Sequence, residues 1–113
     1  MALTEGLTTA TSMPMEEKRT SSHHEIRMED IKASFKEDFS EEIHDANRYC
    51  DMAMAAKMMG HTHIARGLYA MARDEYSHAK FIHDCLVDWG CEISEKELME
   101  WHELIERASR SFR

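Results

Sequence analysis

The sequence predicts an all-α fold: an antiparallel two-helix hairpin followed by a short C-terminal helix, with two copies associating into a four-helix bundle. Three observations predict it. One Pro and four Gly among 113 residues leave long stretches rich in Ala, Glu, Lys, Arg and Met, with few of the β-branched runs a sheet needs. From about residue 26 onward, apolar residues recur at helical rather than alternating spacing. A length of 113 residues allows one domain, and a helical one needs a partner or a well-filled bundle to bury enough apolar surface.

Each element has its own start and stop. Residues 1–22 are rich in Thr and Ser, contain Pro14 and show no period; they read as a flexible N-terminal extension, with a targeting or docking peptide as the alternative. Residues 23–113 form the helical domain. Ser22-x-x-Glu25 offers a capping box for a first helix over 26–59, and Ser34-x-x-Glu37 offers a second start, with a kink near 34–40. Gly60 is the natural stop, and Thr62 the natural cap of a second helix over 63–89, which ends at Gly90. Ser94-x-x-Glu97 opens a third helix over 95–111, whose apolar side carries Leu98, Trp101, Ile105 and Phe112. The short turn at Gly60 forces the first two helices antiparallel.

Composition narrows the function. A net charge of −8 argues against nucleic acid and anionic membrane surfaces as partners and is compatible with attracting cations. No transmembrane span or signal-peptide core is visible. Cys50, Cys85 and Cys91 are odd in number and lack CxxC spacing, so one chain builds neither a disulfide framework nor a rubredoxin-type or zinc site; reduced thiols in the cytoplasm are the default. The methionines of MAMAAKMM, 52–59, go more than halfway round their helix, which favours an oligomer interface or core over a copper site.

The informative stretch is DEYSHAKFIHDC, 74–85. On a helix of about 100° per residue with Leu68 at zero, Glu75 falls near 340° and His78 near 280°, on the face shared by Ile64, Met71, Ile82 and Leu86. With Ile31 at zero, Glu42 falls near 20°, among Phe35, Ala46, Tyr49 and Ala53. Glu41 and His44 have a ligand-like spacing but point away from that face. Glu42 lies about as far before the turn as His78 lies after it, ~25 Å from the bend at ~1.5 Å per residue. Three ligand-type side chains from two helices therefore share one depth. A buried carboxylate needs compensation: a Lys or Arg beside Glu42 and a structural Glu75–His78 bond would supply it without metal. The metal reading is half of a carboxylate-bridged di-iron site. A two-fold axis would complete it with four carboxylates and two imidazoles, holding two iron ions, with manganese as the alternative metal.

At these residues the chain resembles a family. The run EEIHDANRY at 41–49 and E-x-x-H at 75–78 are similar to the half-ferritin type of the ferritin-like superfamily, seen in encapsulated ferritins and, doubled within one chain, in rubrerythrins. The resemblance covers about residues 35–110. It implies that Glu42, Glu75 and His78 are the iron ligands and that the Tyr49 hydroxyl bonds a ligand carboxylate. It also implies an outer metal site at Glu41 and His44, where His replaces an acidic residue, and an auxiliary carboxylate at Asp45. The partners it implies are a second copy, in a homodimer or higher homo-oligomer, and an encapsulin-type shell, which would add a protein nanocompartment to the cytoplasmic location. Neither a rubredoxin-like domain nor an encapsulin-targeting tail is visible. The function expected is a ferroxidase serving iron storage or detoxification. The alternatives are a rubrerythrin-like peroxide reductase and a non-catalytic helical dimerisation or adaptor module.

Overall fold

The computed structural model describes residues 25–112. The proposed extension over 1–22 and the Ser22 cap lie outside those residues. The described residues divide into two units, 25–31 and 32–112; the candidate site and the core around it belong to the second. Three helices follow one another, α1 (Met28–Met58), α2 (Thr62–Asp88) and α3 (Glu95–Ser111), as the sequence predicts for the fold class.

α1 begins where the Asp30 carboxylate accepts the Arg27 backbone N–H at 3.0 Å, with Glu29 and Asp30 in the first turn, the arrangement a helix dipole favours. The helix runs unbroken through 34–40. Ser34 is therefore not a second start; it sits inside the helix, 3.5 Å from Asp38. Gly60 closes α1 at φ +85°, donating to Lys57 O while His61 donates to Ala56 O. That pattern satisfies the last carbonyls and requires the left-handed backbone glycine tolerates.

Thr62 does not cap α2. It is the first helical residue, and His61 occupies the cap position with no side-chain hydrogen bond. The tight turn after Gly60 has already set the chain direction, leaving Thr62 one position too far along. Gly90, at φ +69°, ends α2 as Gly60 ends α1, with Cys91 donating to Leu86 O. α3 opens on the capping box foreseen: Ser94 Oγ accepts from Glu97 N, and the Glu97 carboxylate accepts from Ser94 N.

Within residues 32–112 the core joins Phe39, Ile43 and Ala46 of α1, Ala79, Ile82 and Leu86 of α2, and Trp101 and Leu104 of α3. Ala46, Ala53, Ala72 and Ala79 are fully buried, small enough to let helices approach closely. Trp101 plugs the junction, stacked on Tyr76 and on His83 and tilted against Phe39. Arg107 ties α3 to α1 through Asn47 at 2.9 Å and Asp51 at 2.6 Å.

This packing corrects the helical wheel. Ile64 and Met71, placed by periodicity on the inward face of α2, are exposed, whereas Ala65, Ala72 and Ala79 are buried. The inward face is turned roughly 50° from the centre of the apolar stripe. His83 is half-buried against Trp101.

Candidate metal centre

The rotated packing puts Glu42, Glu75 and His78 at the margin between core and solvent. Glu42 sits one residue before the fully buried Ile43, and Glu75 and His78 lie one helical turn apart before the fully buried Ala79. The Glu42 and Glu75 side chains keep 24 % of their accessible surface and His78 keeps 61 %. Each offers one ligand atom to a cluster whose members all lie within 4.8 Å of one another. His78 Nδ1–H donates to Glu75 Oε1 at 3.1 Å. The same nitrogen lies 3.5 Å from Glu42 Oε1, near enough for attraction but outside hydrogen-bond geometry, so that buried oxygen has no hydrogen-bond partner. No Lys or Arg reaches Glu42 or Glu75 among the described residues, which removes the lysine- or arginine-paired reading of Glu42.

Electrostatics follow from that geometry. Burial, reinforced by the Glu75 carboxyl and opposed by His78, lifts the Glu42 pKa from 4.5 to about 7. Two carboxyls and one imidazole sharing a small space without a fixed cation form a site that a metal ion fits: oxygen and nitrogen donors converge, and one oxygen is left unsatisfied.

The other candidate residues stay apart from this cluster. Asp45 Oδ1 is 3.6 Å from Arg48. Tyr49 is half-buried beneath the Arg48 guanidinium at 4.9 Å, and within the chain its hydroxyl makes no bond to Glu42 or Glu75 among the described residues. Glu41 is exposed. His44 faces outward, 3.7 Å from Glu100 of α3. Glu100 was not legible beforehand, because its pairing with His44 exists only once α3 is docked, and nothing local marks it.

Two helices thus bring two glutamates and a histidine together at the edge of their shared core, a carboxylate–imidazole donor set of the kind a metal ion fits, on an all-α, ferritin-like fold. The rubrerythrin family model matches residues 34–106, and the chain belongs to that family. No curated protein and no solved structure matches it. The match takes in all three cluster residues and supports iron as the metal and a di-iron protein as the class. No described helix is long and apolar enough to cross a membrane.

Proposed function

We propose that this protein oxidises Fe(II) to Fe(III) at a centre shared between two subunits, in the service of iron storage or detoxification. The observation that carries the reading is the Glu42 oxygen, withdrawn from solvent beside a second carboxyl and an imidazole with no hydrogen-bond partner. Left so, it costs a few kcal/mol; a divalent cation held by Glu42, Glu75 and His78 removes the cost. Three ligands are too few for two ions, whereas a two-fold copy provides four carboxylates and two imidazoles, and four negative charges balance two ferrous ions. Manganese suits the same donors.

Bound iron supplies the one-electron chemistry: two Fe(II) each give one electron to O2, which takes up two protons and leaves as hydrogen peroxide. The chain's own groups prepare the site. Glu42 must release the proton that its burial retains, and His78 must present its unprotonated ring nitrogen to the ion. Ile43, Ala46 and Ala79 keep water from the inner side of the ligands. Tyr49, Asp45, Glu41 and His44 are assigned supporting roles: a hydroxyl that orients a ligand of the partner chain, an auxiliary carboxylate, and an outer loading pair. Storage of the ferric product requires an enclosing shell, formed by further copies or by an encapsulin-type partner.

Membership of the rubrerythrin family favours a second reading, a peroxide reductase. Iron held by Glu42, Glu75 and His78 would there supply the two electrons that, with two protons, reduce H2O2 to two waters, and an external donor would restore the ferrous state. Three cysteines do not make a four-thiolate iron site, so these residues do not themselves supply a rubredoxin-type donor.

Anaerobic Fe(II) titration followed by either air or peroxide tests both. Saturation near one iron per chain and rapid oxidation by air is the expected result. Oxidation by peroxide alone selects the second reading. Absence of stoichiometric binding defeats both and leaves a non-catalytic helical module.

A further inference from the structure

The turn end of the hairpin holds a cavity of about 270 Å³ lined by Lys57 of α1 and by Thr62, Ala65, Arg66 and Tyr69 of α2. Thr62, Arg66 and Tyr69 follow one another at steps of four and three, so they share one face of α2, and Lys57 reaches the same space from the last turn of α1. The cavity is remote from the acidic cluster. Arg66 and His78 are twelve residues apart on one helix, ~18 Å along it and ~120° round it.

Charge sets this cavity apart from the rest of the molecule. The chain has 22 Asp and Glu against 14 Lys and Arg, yet residues 46–73 carry Arg48, Lys57, Arg66 and Arg73 against Asp51 alone. Asp51 is taken by Arg107 at 2.6 Å, Arg48 lies 3.6 Å from Asp45, and Arg73 lies over the Phe112 ring at 5.9 Å. Lys57 and Arg66 are left with no ion-pair partner among the described residues. Lys57 has a local reason for its place, since a cation in the last turn complements the α1 dipole. Arg66 has none: it stands one turn into α2, whose first turn carries no acidic residue to offset it, and it adds a second positive charge to the same cavity. Two like charges facing one space repel each other, and an anion between them turns the repulsion into attraction.

We infer that this cavity binds a phosphate group, either the free ion or the end of a small monoester. The donors select that anion. Arg66 offers a planar fork, Lys57 a point charge with three N–H donors, and Thr62 and Tyr69 one hydroxyl each. A carboxylate has two oxygens and one charge to set against them, whereas a phosphate group has three or four oxygens and approaches two negative charges at neutral pH, matching both cations. The volume lies just under the ~300–1,000 Å³ of cavities that enclose a whole drug-sized ligand, so the space suits the phosphate and little beyond it. The Tyr69 ring and Ala65 form an apolar wall against which an attached organic group would rest.

The test uses the full chain, 15N-labelled and held at constant ionic strength so that screening does not change during the titration, with inorganic phosphate and adenosine monophosphate added in separate experiments. Saturable shifts of the amide signals of Lys57 and residues 62–69, with a Kd of ~1 mM or tighter, are the expected result. Tighter binding of the monoester assigns the attached group to the Tyr69 wall, and equal binding assigns the free ion. Arg66→Gln and Lys57→Gln, both at exposed positions, are each expected to weaken binding about tenfold or more through loss of one charge-assisted contact. Lys80→Gln, at a lysine already paired with Asp84 at 3.1 Å, is expected to leave binding unchanged. Shifts that grow without saturating, shifts spread over the other cations, or an equal loss in Lys80→Gln would overturn the inference and leave only a diffuse positive surface.

Discussion

Glu42 is the residue on which most depends. Its neighbours Glu41 and His44 have equal chemical claim to a metal, and only their direction separates them: Glu41 is exposed and His44 pairs with Glu100, while Glu42 turns towards Glu75 and His78. Replacing Glu42, Glu75 or His78 by Ala is therefore expected to abolish stoichiometric Fe(II) uptake, whereas Glu41→Ala leaves the stoichiometry unchanged, both read by anaerobic titration. The raised Glu42 pKa adds a pH signature to the metal-free protein. Its folded state holds the proton more tightly than its unfolded state, so the stability linked to that proton is fully present below about 4.5 and is lost as pH rises through about 7. Thermal melts of metal-free protein across that window should show falling Tm, and Glu42→Gln should flatten the fall; an unchanged slope would show that Glu42 ionises as freely folded as unfolded.

At the scale of the element, the helix ends were legible where a local chemical device makes them. Gly60 and Gly90 have positive φ, and Ser94 with Glu97 forms a complete capping box; each depends only on residues within one turn, so the sequence carries the whole cause. Thr62 misleads because a cap is defined by where the preceding turn leaves the chain, and that turn places His61 there instead. Ser94→Ala is expected to cost about 1 kcal/mol, measured by denaturant midpoint at constant m-value. Gly90→Ala meets open space but keeps a left-handed backbone, so a loss of roughly 1–2 kcal/mol from conformation alone is expected.

Across the folded unit, residues 32–112, α3 decides what is inside. Trp101 is 3 % exposed and contacts Phe39, Tyr76 and His83, so Trp101→Ala is expected to remove about 3–5 kcal/mol, visible as a lower denaturation midpoint. By loosening the α1–α2 pair, the same change should weaken iron uptake without touching a ligand. If ligands from two chains converge on metal, Fe(II) should also raise both the dimer fraction and Tm; sedimentation and melting unaffected by saturating Fe(II) would separate binding from assembly.

The sequence by itself determined the three helices of the described residues, nearly all of their ends and the common depth of Glu42, Glu75 and His78, because those follow from local capping chemistry and a constant rise per residue. The tertiary structure alone decided which part of each apolar stripe turns inward. A helical wheel adds together side chains meant for the chain's own core and side chains left for something outside it, and the two are equally apolar. Packing of the hairpin and of α3 separates them: Ala65, Ala72 and Ala79 are buried while Ile64 and Met71 stay exposed, which sets the acidic cluster at the rim, where one side is already dry and the other is open to a partner.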